Sequence, residues 1–289
     1  MLFRSGQLAI RWIEKKLNEY LNKLLGNTDK DYVIASDTDS IYLSLDELVG
    51  RTIIEKDPNT GTREIIQFLD KVCETKIQPF IDKSYSELAK YTNAYRQKMM
   101  MKREALADKG IWTAKKRYIL NVYDQEGVRY TTPKMKLQGI EAVRSSTPAS
   151  CRDNIKKALN IIMNGTEQEI IEFVADFKQK FRQLPFEDIA FPRSVKDLRK
   201  YHDSNTIYAK GTPIHTKGAL LYNHLIKTKD LSTKYQKISD GDKIKFAYLK
   251  TPNPTRCNVI SVQSVLPKQF GLDTYVDHDT QFEKAFLEP

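Results

Sequence analysis

The stretch YVIASDTDSIYLSL, Tyr32 to Leu45, sets two apolar, β-prone runs on either side of Asp37-Thr38-Asp39-Ser40. It reads as a short hairpin, with strands over Tyr32–Ala35 and Ser40–Ser44 and an acidic turn between them. Strand side chains repeat every two residues, so Asp37 and Asp39 are expected on one side. An arbitrary D-x-D is most often a turn-former whose carboxylates bond the local backbone. At the end of buried strands, however, two like charges are costly unless a cation neutralises them. An all-oxygen donor set suits Mg²⁺, which takes one or two carboxylates together with substrate phosphates. Two enzyme classes use such a turn: nucleotidyl transferases, and glycosyltransferases that hold a nucleotide-sugar through a metal.

The composition narrows the partners. The 289 residues carry 47 Lys+Arg against 37 Asp+Glu, a net charge of +10, which favours a polyanionic partner and nucleic acid first. The length suits one or two domains, and 40% hydrophobic residues supply an ordinary globular core. Cys73, Cys151 and Cys257 are scattered and odd in number, which indicates neither a zinc site nor a disulfide framework and fits a reducing compartment. His202, His215, His224 and His278 show no metal-ligand spacing. The start, MLFRSGQLAIRWIEKK, lacks the apolar run of a signal peptide, and no stretch approaches 18 consecutive apolar residues. A cytoplasmic protein with no membrane span is expected.

Along the chain, Ser5 is a candidate N-cap for a helix running to Leu25, with Gly26 as its stop. Ile10, Ile13, Leu17, Tyr20, Leu21 and Leu24 would form its buried stripe. A helix-rich stretch from Thr62 to Tyr91 is expected to break or kink at Pro79. From Lys98 to Val143 the pattern turns to strands, KMMMKREALA, KKRYILNVYD and GVRYTT, with Glu126-Gly127 as a hairpin connection. Thr147 as N-cap and Pro148 at the first helical position open a helix to Asn164. Thr166-x-x-Glu169 is a capping box for the next. A helix over Lys217–Lys227, a turn between strands at Ser239–Asp242 and a short terminal helix near Phe286 follow. The expected fold is α+β, with a mixed first half and a mostly helical second half that has a small sheet near the C-terminus.

SDTDSIYLS closely resembles the Y-G-D-T-D-S motif in the palm of family B DNA polymerases, with Ser36 where the motif has glycine. The preceding GQLAIRWIEKKLNEYLNK is similar to the helix before that motif in the replicative polymerases of T-even-type tailed phages. MKREAL, GIWTAKKRYILNVYD, KLQGIEAVRSSTP and GTPIHTKGALLYN resemble later blocks of the same enzymes in the same order. The resemblance runs from about Ser5 to Leu287, and it implies a palm, with an antiparallel sheet and packed helices over 1–145, followed by a helical thumb with a small sheet over 146–289.

By this resemblance Asp39 is a direct ligand of two Mg²⁺ ions, and Asp37 supports the catalytic turn. Glu104 is implied as a third carboxylate near the metals; a salt bridge to a neighbouring strand is the competing reading. Lys115, Lys116, Arg117 and Tyr118 form the block that grips the primer strand without strong sequence preference. Read as a strand, that block faces Lys115 and Arg117 one way and Lys116 and Tyr118 the other. Lys134 and Lys136 share a strand face as phosphate contacts. Thr216 and Lys217 sit at a helix N-terminus suited to a phosphate, with His215 either a packed residue or a DNA contact. The 15 Tyr, 12 Phe and 2 Trp read as mostly core, so the positive charge is expected to grip duplex rather than stack single strands.

The resemblance also implies what must come from elsewhere. The sequence contains no D-x-x-S-L-Y-P-S motif, no K-x-x-x-N-S-x-Y-G helix of the fingers and no exonuclease carboxylate motifs. The expected function is therefore the C-terminal part of a split DNA-directed DNA polymerase. It would add dNTPs to a primer–template once combined with an N-terminal part bearing exonuclease and fingers, with a sliding clamp reached through another subunit. A truncated copy of the gene, a non-catalytic DNA-binding remnant and, distantly, a metal-dependent glycosyltransferase are the alternatives.

Overall fold

A computed structural model describes residues 2–288. The chain forms two compact units, Met1–Gln138 and Gly139–Pro289. Helices and small antiparallel sheets alternate in both, an α+β fold.

The first unit is organised by helix α1 (Leu2–Leu25). Ala9, Ile13, Leu17, Leu21 and Leu25 recur every four residues and are all buried. Each fully buried Ile or Leu contributes about 1.5–3 kcal/mol through lost apolar hydration. The stripe differs from the sequence expectation at its end: Leu24 is exposed and Leu25 takes its place. Ser5 lies inside the helix rather than capping it. Gly26, at φ +70°, ends the helix in the left-handed conformation that glycine adopts without steric cost.

Strands β1 (Val33–Ser36) and β2 (Ile41–Leu43) pair antiparallel beside α1. A helical turn, α2 (Asp46–Val49), leads to α3 (Thr62–Val72) and α4 (Gln78–Tyr91). Between α3 and α4 the chain widens into a single π-type turn, Cys73–Ile77, and Pro79 sits in the first turn of the new helix. The helix runs on through this turn, with Ile77 itself helical, and the widened turn accommodates the hydrogen bond that Pro79 cannot donate. Ile77, Ile81, Tyr85 and Leu88 close on Ile13, Leu17 and Val33 as one core. Strands β3 (Ala105–Ala114), β4 (Arg117–Gln125) and β5 (Val128–Gln138) form an antiparallel meander. Glu126 and Gly127 take φ values of +52° and +88°, which suits the tight turn between β4 and β5. Residues 98–104, read above as the start of a strand, are irregular, and pairing begins only at Ala105.

In the second unit α5 (Ala149–Asn164) is flanked by Pro148 as its cap residue, while Thr147 is buried and caps nothing. The Thr166–Glu169 capping box opens α6 (Glu167–Phe181) with both reciprocal bonds made. Two further helical turns, α7 (Phe186–Ile189) and α8 (Leu198–Tyr201), and a small hairpin of β7 (His202–Asp203) with β8 (Ile207–Tyr208) lead to α9 (Ile214–Thr228). A three-stranded sheet runs in the order β10 (Val259–Val262), β9 (Lys243–Tyr248), β6 (Phe191–Ser194), and α9 packs on it. The Ser239–Asp242 turn enters β9 but follows no strand. Helix α10 (His278–Phe282) and a wide turn at Glu283–Leu287 close the unit. No helix among the described residues is long and apolar enough to cross a membrane.

Candidate functional site

The acidic turn is held from beneath by α1. Asn18 Oδ1 accepts from the backbone N–H of Tyr32 (2.8 Å) and of Val33 (2.9 Å). One turn later Asn22 bonds the backbone of Lys30 in both directions, at 2.7 and 2.9 Å. Glu47 of α2 gathers Lys30, Asn27 and the Tyr32 hydroxyl, with Lys30 first in holding its carboxyl down at about 2. The entry to β1 is therefore fixed by polar groups on two helices. Apolar periodicity carries no trace of these fastenings, and only the two asparagines, spaced four apart on a helix face, could have suggested them.

Backbone pairing closes the turn itself, with the Asp37 N–H donating to Ser40 O at 2.9 Å. Asp37 is half-buried. Its Oδ1 accepts from the Thr38 N–H (2.7 Å) and hydroxyl (3.2 Å), and it faces Lys116 Nζ at 3.8 Å. The Thr38 N–H, ahead of the lysines, holds this carboxyl below the usual aspartate range. Asp39 is exposed and makes no hydrogen bond or ion pair among the described residues. Both aspartates lie in the turn, outside the paired strands, so strand alternation does not set their directions.

The K-K-R-Y block meets this turn as a hairpin tip, which corrects the strand reading. Lys115 and Lys116 are the two loop residues between Ala114 and Arg117, which pair across β3 and β4. Lys116 takes φ +61°, a conformation uncommon outside glycine. Tyr118, on β4, packs edge-on against Tyr42 of β2 at 5.3 Å, and Trp112 completes the cluster at 5.3 Å from Tyr42. Burial, and then the Tyr118 hydroxyl beside it, pushes the Tyr42 phenol up to about 12, so it stays neutral. Gly110 leaves room for this arrangement, since a Cβ there would meet the Trp112 ring at 2.7 Å. Two hairpins far apart in sequence are thus docked by one ion pair and a cluster of three aromatic rings.

The remaining candidates separate. Glu104 precedes β3 and pairs with Lys136 of β5, the salt-bridge alternative raised from the sequence, so Lys136 already has an anionic partner. Lys134 is exposed on the same face of β5, with its ammonium 4.1 Å from the centre of the Tyr130 ring. Asp37, Asp39 and Glu104 do not converge: among the described residues no three carboxylate, His or Cys side chains gather as a metal-holding group. In oxygen chemistry Asp39 fits a hard cation, since both of its oxygens are free.

In the second unit α9 begins at Ile214, which places Thr216 and Lys217 in its first turn. Thr216 is buried, so its hydroxyl cannot meet a phosphate, and that expectation is corrected. Lys217 lies over the Tyr208 ring at 5.4 Å. His215 is half-buried near Phe246, and burial, then Arg193, holds it below the usual histidine range, as for a packed neutral ring.

Residues 25–181 match the model of the divergent family B DNA polymerase domain. Over 98% of its length the chain is 33% identical to the DNA-directed DNA polymerase of Enterobacteria phage T4. It is 33% identical over the same share to the DNA-directed DNA polymerase of Escherichia phage RB69. It covers 32% of each, about a third of the length of these relatives.

Proposed function

Because the chain belongs to the divergent family B DNA polymerases, we propose that it supplies the palm and thumb of a DNA-directed DNA polymerase that extends a primer with dNTPs. In this reading residues 1–145 are the palm and 146–289 the thumb. Asp39 is the Mg²⁺ ligand contributed by this chain, Asp37 supports the turn, and Glu104 lends a further carboxylate when Lys136 releases it. Bound Mg²⁺ would lower the pKa of the primer 3′-hydroxyl and neutralise the triphosphate. Lys115, Lys116, Arg117 and Tyr118 hold the primer strand beside Asp39, while Lys134 and Lys217 add phosphate contacts. The other metal-binding aspartate and the fingers come from polypeptide bearing the D-x-x-S-L-Y-P-S and K-x-x-x-N-S-x-Y-G motifs.

The observation that carries this reading is the free carboxylate of Asp39 on a turn to which the K-K-R-Y tip is latched. That arrangement sets a hard-cation ligand next to cations suited to a nucleic-acid backbone. The test is primer extension with Mg²⁺ by this chain combined with polypeptide carrying the missing motifs, comparing wild type with Asp39→Asn. Extension that needs both parts and is lost in Asp39→Asn, with primer–template affinity retained, supports the proposal. A pair that binds primer–template and extends nothing would leave a non-catalytic DNA-binding protein, which the unconverged carboxylates favour.

A further inference from the structure

Between α4 and β3, residues 92–104 run without helix or strand, and nearly every side chain from Tyr91 to Met100 is exposed. Lys90, Arg96, Lys98, Lys102 and Arg103 fall between residues 88 and 103, where there is no Asp or Glu. Arg103 is committed to Asp70 and Asp124. Lys102 lines an open groove with Asp70, Glu74 and Asp82. Lys90, Arg96 and Lys98 have no carboxylate partner among the described residues.

Two aromatic rings stand among these cations. Tyr91 stacks on Trp12 of α1 with centroids 5.8 Å apart and planes 25° apart. The inner ring is fixed, since its Nε1 donates to Ser84 O at 2.9 Å and Lys16 lies over it at 5.1 Å. Lys16 is itself paired with Glu87 at 3.2 Å. Tyr91 is the outer member of this stack and is 77% exposed. Tyr95, one helical turn further in sequence but on irregular chain, is fully exposed and touches no other ring among the described residues. Just beyond Tyr95 the strap is shaped locally, since the Gln97 amide bonds both the N–H and the carbonyl of Met99 at 2.5 Å.

We propose that this strap is a binding site for single-stranded DNA, in which unpaired bases stack on Tyr91 and Tyr95 and phosphates meet Lys90, Arg96 and Lys98. Open aromatic faces alternating with unpaired cations are what sequence-tolerant single-strand binding requires. A duplex hides its base faces and would leave both rings without a partner. Tyr91 and Tyr95 are exceptions to the sequence expectation that the aromatic residues are mostly core. The site does not involve Asp39, so Asp39→Asn leaves it intact and its failure is separable from failure of the polymerase reading.

The experiment is fluorescence anisotropy with a labelled oligothymidylate of about a dozen nucleotides, within the site sizes of such grooves, alongside a blunt duplex. Tyr95→Ala and Tyr91→Ala are each expected to weaken oligothymidylate binding by at least about five-fold, the lower end of one lost base stack. Duplex affinity stays unchanged. Arg96→Ala with Lys98→Ala reduces the slope of log affinity against log salt by about 1.4, two single-strand phosphate contacts. Oligothymidylate quenches the Trp12 emission in wild type and less in Tyr91→Ala. Full single-strand affinity in both tyrosine variants, or equal losses for duplex and single strand, would overturn the proposal. Unchanged affinity in Tyr95→Ala with Tyr95 shielded by the polypeptide bearing the missing motifs would also overturn it, and make the strap a protein-docking surface.

Discussion

Lys116 Nζ lies 3.8 Å from Asp37 Oδ1, so the tip of the β3–β4 hairpin closes on the acidic turn between β1 and β2. Lys116 is mostly exposed, and such a pair is worth about 0–1 kcal/mol at most. Its consequence is positional: the cations proposed to hold primer are set next to the carboxylates proposed to serve the metal.

Removing that cation tests how the turn keeps Asp37 ionised. Lys116→Met is expected to raise the Asp37 carboxyl, because one of the charges favouring the anion is gone. The Thr38 N–H is the larger cause and remains, so Asp37 should still titrate below the ordinary aspartate value of 3.8. Side-chain carboxyl NMR titration of wild type and variant reads this directly. A shift in Lys116→Met to above the ordinary value would show that the lysine, not the turn, ionises Asp37.

Asn18 holds two otherwise unpaired backbone donors at the start of β1, on residues that are themselves buried. Asn18→Ala strands both, and each buried unsatisfied N–H costs about 1–3 kcal/mol. Chemical denaturation should show a loss of about 2–5 kcal/mol, allowing for partial rescue by water. Asn18→Asp keeps an acceptor in place but turns the bond from Asn18 Nδ2 to Asp31 Oδ1 into a contact between two carboxylates, so it should recover stability only when combined with Asp31→Asn. Hydrogen exchange at Tyr32 and Val33 should accelerate in the alanine variant ahead of the rest of the unit.

Asp124 is fully buried on β4, where Arg103, the Gly127 N–H (3.0 Å) and Arg129 (3.4 Å) surround it. Burial alone would raise its carboxyl, but these donors outweigh it and hold the group below its ordinary 3.8. A lowered folded pKa means that the unfolded chain binds the proton more readily. The stabilisation is therefore complete above the unfolded value and is lost as pH falls through the folded one. Asp124→Ala removes the bonds from Arg103 and Arg129 but leaves both guanidiniums paired with Asp70, and should cost about 1.5–3 kcal/mol at neutral pH. The deficit should shrink as wild type and variant are compared down toward pH 3. An Asp124→Ala deficit that is constant from pH 7 to pH 3 would refute the ionic account.

What the sequence disclosed and what it hid divide along one physical line. Local signals were legible: the β1–β2 hairpin, the Glu126–Gly127 turn, the Thr166–Glu169 box and the α1 stripe each depend on residues within a few positions of one another. The hidden features depend on backbone conformations that propensity does not encode or on contacts between segments far apart in sequence. Ala114 pairing with Arg117 turned Lys115 and Lys116 from strand into loop, and no β-propensity scale expects a lysine at φ +61°. Glu104 lies 32 positions from Lys136, so its ion pair could be raised only as an alternative. Thr216, polar and in a first helical turn, gave no sign that α9 would press it inward. Tyr95 was hidden for the opposite reason: composition counts an aromatic residue as core wherever the chain leaves it.

The pressing of α9 onto β10 yields a prediction of sign as well as size. Gly218 lies where the two backbones approach, and a Cβ there would stand 2.6 Å from Ser261 N and 2.8 Å from Ile260 C. Neither atom belongs to a flexible side chain that could turn aside. Ser261 is further fixed by the bond from its hydroxyl to His215 O at 2.8 Å. Gly218→Ala gains about 1 kcal/mol of helix propensity but forces helix and strand apart, an overpacking cost of about 1–3 kcal/mol or more. The net change should be destabilising. Gly6 in α1 is the control, because a Cβ there meets nothing within 4 Å. Gly6→Ala should therefore stabilise by about 0.5–1 kcal/mol, the entropic advantage of alanine in a helix. Thermal unfolding of the two variants should move the midpoint in opposite directions, and a Gly218→Ala protein as stable as wild type would mean that α9 can lift from β10 without loss.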